Sequence, residues 1–150
     1  GDRLFTATVG DSRIYLIRNG VIQQLSTDHT WIQEAIDQGM LAPGQARNHT
    51  NAHVLRRYLG SRQIVSPDLR LKLNNLENDQ QSETNQGFAL KTGDRLLPCS
   101  DGLTDLVEDQ EILSYLQNNS LESALNQLVA LSNQRGGHDN ITIIDHRIDH

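Results

Sequence analysis

The chain opens on two segments with strand-like patterning. Residues 3–9, RLFTATV, and 13–18, RIYLIR, alternate and are rich in β-branched or aromatic side chains. GDS at 10–12 predicts a tight turn between them. Asn19-Gly20 is a hairpin signal, because both residues tolerate positive φ. Residues 21–25, VIQQL, then return as the third strand of an antiparallel meander. After the polar break STDHT, apolar residues at 31, 32, 35 and 36 follow a helical period. Thr30 is placed to cap that helix and Gly39 to end it. APGQARNH at 42–49 predicts a shorter helix with Pro43 near its first turn. Residues 53–59, HVLRRYL, suit either a helical turn or an extended piece.

Further along, LRLKL at 69–73 alternates and predicts a strand. Residues 74–87 hold no apolar side chain but Leu76, the mark of a flexible loop or an insertion. FAL and RLLPCS flank the turn KTGD and predict another hairpin. Apolar residues at 112, 113 and 116 predict a helix over 109–118. Ser120 caps a second, with Leu121, Ala124, Leu125, Leu128 and Val129 on one face and Gly136 beyond its end. NITII at 140–144 is the final strand. No internal repeat is present. Strands first, two helices late and a closing strand give an α+β domain, an antiparallel sheet with helices on one face. Several strands are apolar on both sides, so the second face needs cover from another segment. Left bare, it invites dimerisation or strand exchange.

At 150 residues the chain has the size of one domain. Hydrophobic content is 36%, which is low, and much of the polar excess lies in 43–53 and 74–87. The formal net charge is −6 and no basic stripe occurs, which argues against a nucleic-acid partner. The single cysteine, Cys99, rules out an internal disulfide and fits a reducing compartment. No apolar run reaches the roughly 18 residues that span a bilayer, and no signal-peptide pattern is visible. A cytoplasmic location is the expectation. The sequence begins without Met, close to the start of a strand, and reads as a part of something longer.

The candidate chemistry lies at strand ends. Asp11 in GDS, Asp28 in DH, Asp101 and Asp105 in SDGLTD, and Asp139 in GGHDN are acidic turns. Asp101 ends a strand and Asp139 begins one. If those strands are antiparallel neighbours, the two carboxylates meet at one edge of the sheet. Clustered carboxylates repel one another unless a cation neutralises them, and oxygen-only ligands suit Mg²⁺ or Mn²⁺. Gly102, Gly136 and Gly137 would let the backbone turn sharply beside them. Taken singly, each aspartate is more often structural, since Asp mimics turns and caps helices. Asp28 and Asp94 are read that way. His49 and His53 stand at i and i+4 without a carboxylate or Cys companion, and His138 is read as a solvated turn residue. His29 is expected to buttress its loop, Arg13 to pack or pair within its own turn, and Trp31 to pack in a small core. Cys99 is expected to be a buried hydrophobe rather than a nucleophile.

TVGDSRIYLIRNG, LSTDHTWIQEAIDQG, HVLRRYLG, GDRLLPCSDGLTDLVEDQEI and GGHDNITII occur in that order. Together they resemble the PPM family of metal-dependent protein serine/threonine phosphatases (the type-2C phosphatases), in its bacterial, Stp-like branch. The resemblance runs from about residue 4 to about 145. It implies an antiparallel β-sandwich with flanking helices. At one edge two Mn²⁺ or Mg²⁺ ions activate a water that attacks phosphorus directly. Asp101 and Asp139 match metal ligands, and Asp11 and Asp105 match residues of a third, weaker site. Residues 30 to about 57 match a flap beside the active site.

The family's earlier segment is not found in these 150 residues. That segment carries an acidic residue, an Asp-Gly whose Asp bridges both metals, and a basic residue or His that contacts phosphate. Residues 1–150 are therefore expected to be the C-terminal portion of the domain, with about half of a metal site and no activity alone. The implied substrates are phosphoserine and phosphothreonine proteins, made by an opposing kinase. An inactive phosphatase-like binding or regulatory module, or a stand-alone interaction module, are the alternatives. Retention of Asp101 and Asp139 favours catalysis. Pro98, where the family has an aliphatic residue, puts the pairing of 95–99 in doubt or turns its missing donor outward. Asp145 and His146 suggest that the last strand ends early, and the loop 74–87 looks like tolerated variation.

Overall fold

The computed structural model describes residues 2–45, 49–62 and 64–149. Its main layer is a four-stranded antiparallel sheet in the order β3 (Val21–Gln24), β2 (Arg13–Arg18), β5 (Arg95–Cys99), β6 (His146–Arg147). β2 (Arg13–Arg18) turns into β3 (Val21–Gln24) through Asn19 and Gly20, whose φ angles of 52° and 76° suit the expected hairpin turn. β5 (Arg95–Cys99) lies on the other side of β2, with Tyr15 opposite Leu97 and Arg13 opposite Cys99. Period-two alternation puts Tyr15, Ile17, Leu97 and Cys99 on one face. There they join Leu103, Ile112, Leu116, Ala124 and Leu128 in one core beneath α4 (Asp109–Asn118) and α5 (Leu121–Gln134). Both helices stand where the sequence put them, and they cover one face, as expected.

The first strand does not join this sheet. β1 (Arg3–Leu4) pairs with β4 (Phe88–Ala89) in a separate two-stranded sheet. That corrects both the three-stranded meander and the 88–100 hairpin. Thr8 exchanges two backbone hydrogen bonds with Asp68 (3.0 and 2.9 Å), which draws residues 5–9 away from β2. The KTGD turn does form, with Gly93 at φ 88°. However, the Asp94 carboxylate accepts from the Lys91 amide and from Arg18 of β2, so β5 leaves the turn toward β2 rather than β4. LRLKL is not a strand either. Leu71 is fully buried, but its amide donates to Ser82 O, and that of Lys72 donates to Leu25 O.

The polar stretch 74–87 is an ordered element, not a flexible loop. It contains α2 (Asp79–Thr84), started by a capping box between Asn78 and Gln81, with Ser82 buried. Gln86 extends the anchoring by donating to Thr6 O and Leu69 O and accepting from the Thr6 amide. Side-chain hydrogen bonds hold this segment where apolar burial cannot.

In residues 30–57, α1 (Trp31–Asp37) starts at Thr30, whose hydroxyl accepts from the Gln33 amide, and Gly39 follows at φ 70°. The expected second helix is a single 3-10 turn, Pro43–Gln45; residues 46–48 of that prediction lie outside the described residues. Residues 53–56 include an extended piece. Thr30 bridges Leu55, Trp31 donates to Val54 O, and Arg56 donates to His29 O.

At the far edge, β5 is paired on both sides, and Pro98 explains the form of its second neighbour. Ile144 donates to Pro98 O at 2.9 Å, and Pro98 has no N–H to return. One rung on, Thr142 donates to the Ser100 hydroxyl instead of its carbonyl. Residues 140–144 therefore run alongside as an isolated bridge, Cys99 to Ile143, and not as the strand expected. The regular pairing comes later, in β6 (His146–Arg147), where early fraying was expected. The Asp145 side chain is 1% exposed and paired with Arg95, which holds the edge there. On the second face Leu16 is 4% exposed, so that face is not bare at its centre.

Candidate metal centre

Asp101 leaves the end of β5 as the first residue of α3 (Asp101–Thr104), a short helix where the sequence suggested a turn. Its Oδ1 accepts the Gly102 N–H at 2.9 Å. Gly102 is needed for a reason other than the one expected. A Cβ built there would lie 2.4 Å from the carbonyl oxygen of Asn140. It serves close backbone approach, not a turn of unusual φ. Ser100 completes the junction: its hydroxyl donates to Asn140 O and accepts from the Thr142 amide, both at 2.9 Å. The two antiparallel segments thus bring residues 101 and 139 to the same end of the sheet, as the sequence suggested. Asp139 is exposed, and its Oδ1 accepts the Asn140 N–H at 2.6 Å.

Asp11 follows Gly10, which has φ 109°. Burial raises the Asp11 carboxyl above its ordinary range, and repulsion from Asp101, Asp28 and Asp105 adds to the shift. Asp105 is raised in the same way, first by burial and then by Asp101, with His53 acting against both. His53 Nδ1 lies 3.0 Å from Asp105 Oδ2. Asp11, Asp101 and Asp105 line one cleft of about 610 Å³ together with Asp28, Asp109 and Glu108; His53 and His138 line it too, while Asp139 does not.

Several contacts were not legible in the sequence. Arg13 does not pair within its own turn. It grips Asp28 through Nε and Nη2 (3.0 and 2.7 Å to Oδ2) and donates to the Tyr15 hydroxyl at 3.1 Å. Tyr15 in turn donates to Asp109 at 2.8 Å. Asp28 is therefore the counter-ion of Arg13, and Gln24 also donates to it. The i, i+2 spacing of Arg13 and Tyr15 on one strand face was the available signal. His49 and His53 part company: His49 stacks on Trp31 at 5.0 Å, and His53 turns to Asp105 and meets His138 edge-on at 6.4 Å. Cys99 is 4% exposed, and burial pushes its thiol up to about 12, so it is no nucleophile at neutral pH.

The donor set fits a hard divalent cation in kind. It is oxygen-only, and its carboxylates repel one another; among the described residues that line the cleft, the basic side chains are Arg13, His53 and His138. It is short in number, since among the described residues no three His, Cys, Asp or Glu side chains converge to hold an ion.

The chain is similar to known proteins in sequence and in fold. The protein phosphatase 2C family profile matches residues 1–35. The serine/threonine protein phosphatase PstP of Mycobacterium tuberculosis is 33% identical over 144 residues, covering 96% of this chain and 25% of its own. The serine/threonine phosphatase Stp of Listeria monocytogenes is 33% identical over 139 residues, covering 92% of this chain and 49% of its own. The crystal structure of the PstP catalytic domain with two manganese ions superposes with a TM-score of 0.75 at 32% identity, over 99% of this chain and 55% of that one. The chain thus spans about half or less of the length of these relatives. In sequence along nearly its whole length, and in fold, it belongs to the protein phosphatase 2C (PPM) family of serine/threonine phosphatases.

Proposed function

We propose that this chain supplies one side of a divalent-metal centre that dephosphorylates phosphoserine and phosphothreonine in proteins, within a complete phosphatase domain. The observation that carries the reading is the crowding of Asp11, Asp101 and Asp105 into one cleft, where burial and mutual repulsion raise Asp11 and Asp105. Asp101 and Asp139 are the proposed ligands of a pair of Mn²⁺ or Mg²⁺ ions, and Asp11 and Asp105 those of a third, weaker one. When bound, such ions lower the pKa of a water and clamp the phosphoryl oxygens. The chain's own residues shape the place for this. Arg13 offsets the charge of Asp28, Gly102 lets its own backbone approach that of Asn140, and His53 stands 3.0 Å from Asp105.

The same reading makes the 150 residues inactive alone, because their carboxylates do not complete a ligand set. A protein kinase provides the substrates, and the half-buried second sheet face is a site for self-association of the isolated chain, measurable by light scattering. The test of function is a hybrid in which this chain replaces the aligned portion of the PstP catalytic domain. Mn²⁺-dependent hydrolysis of a phosphothreonine peptide, abolished by Asp139→Asn, is the expected result. A folded hybrid that binds Mn²⁺ but hydrolyses nothing would favour a phosphatase-like binding module instead.

A further inference from the structure

Behind the cleft lies a buried polar relay that ends one residue from Asp11. The Gly10 amide donates to His29 Nδ1 at 3.0 Å, and the His29 amide donates back to Gly10 O at 3.0 Å. The His29 ring is buried, and its Nε2 lies 2.8 Å from Asp68 Oδ2. Arg70 holds the same carboxylate through Nε at 2.9 Å and Nη2 at 2.6 Å, and its Nη1 reaches Asp79 at the start of α2 at 2.9 Å. Thr8, two residues before Gly10, is bonded to the backbone of Asp68. None of His29, Asp68 and Arg70 lines the cleft.

The relay fixes the state of the imidazole. Nδ1 accepts from Gly10, so it carries no proton, and the ring proton sits on Nε2 and is donated to Asp68. Burial alone would raise Asp68, but hydrogen bonds from Arg70 and His29 outweigh it and hold the carboxyl far below the ordinary range. Gly10 has φ 109°, a conformation held by its surroundings rather than by a side chain. Whatever fixes its amide fixes the direction in which the next residue leaves.

We infer that His29, oriented by Asp68 and Arg70, is a positioning residue for the Asp11 carboxylate in the metal cleft. This rests on the metal-centre reading above. Two variants separate the ring's two nitrogens. His29→Asn keeps an acceptor near the Nδ1 place, whereas His29→Gln keeps a donor near the Nε2 place and strands the Gly10 amide. In NMR of the whole chain, His29→Gln is expected to speed Gly10 amide exchange about tenfold, the effect of an unsatisfied buried donor. It should also shift the Asp11 side-chain carboxyl resonance and weaken Mn²⁺ binding several-fold. His29→Asn should leave all three near wild type. Equal effects of the two variants, or an Asp11 resonance unmoved by His29→Gln, would overturn the inference. A wild-type chain that binds no Mn²⁺ defeats the metal reading alone, since Gly10 exchange and the Asp11 resonance still report on positioning. If His29→Gln does not fold, Asp68→Asn reads the same link. Unchanged Gly10 exchange in that variant would count against the relay.

Discussion

No Cβ fits between Gly102 and Asn140: one placed on the glycine would stand 2.4 Å from the asparagine carbonyl oxygen. That oxygen also accepts the Ser100 hydroxyl, so the contact sits inside the junction joining the segments that carry Asp101 and Asp139. Gly102→Ala must push residues 139–141 away from α3. The expected cost is about 1–3 kcal/mol, the usual range for overpacking, read in a thermal or urea melt. Mn²⁺ affinity should fall with it, because Asp139 moves with Asn140.

Pro98 and Ile144 share a rung with only one of its two hydrogen bonds. Pro98→Val supplies the missing donor without loss of the apolar side chain. The amide at position 98 should be strongly protected from hydrogen exchange. Stability should change by less than about 1 kcal/mol, since the new bond and the greater freedom of the unfolded chain act in opposite directions. An unprotected amide at 98 would show that residues 140–144 do not lie where the structure puts them.

The buried and half-buried aspartates oppose one another in their dependence on pH. Asp68 and Asp94 lie below their ordinary range: burial of Asp68 is outweighed by Arg70 and His29, and Arg18 lowers Asp94. Their stabilisation is fully present above the unfolded carboxyl value near 4 and is lost as pH falls through the lower folded values. Asp11 and Asp105 are raised, so in their ionised form they cost stability at neutral pH, and that cost is relieved on acidification. Asp11→Asn should therefore raise the melting temperature at pH 7 by about 2 °C, with the gain vanishing near pH 4. A lower melting temperature at pH 7 would contradict the repulsion described.

What the sequence disclosed and what it hid follow from the range of the forces involved. Asn19-Gly20, Thr30 with Gly39, and the apolar stripe of 109–118 are local signals, and each element stands where they put it. That residues 101 and 139 come to the same end of the sheet followed from strand ends alone, although Asp139 does not line the cleft that holds Asp101. Pairing partners were hidden, because short strands such as Arg3–Leu4 carry no mark of their neighbour. Also hidden was α2, built by a capping box and by Gln86 rather than by apolar periodicity. Arg13 with Asp28 and His29 with Asp68 are contacts between segments 15 and 39 residues apart, which composition and spacing cannot show.

Whether Asp101 and Asp139 form one side of a divalent-metal site is decided by Mn²⁺ titration of the whole 150-residue chain by calorimetry. Weak binding is predicted, with Kd on the order of 1 mM, as for a cation site with few fixed carboxylate ligands. It should weaken sharply in Asp101→Asn with Asp139→Asn, which leaves only the weaker Asp11 and Asp105 site, and p-nitrophenyl phosphate should not be hydrolysed at any Mn²⁺ concentration. Binding that the double substitution leaves unweakened, or Mn²⁺-dependent hydrolysis by this chain alone, would overturn this assignment.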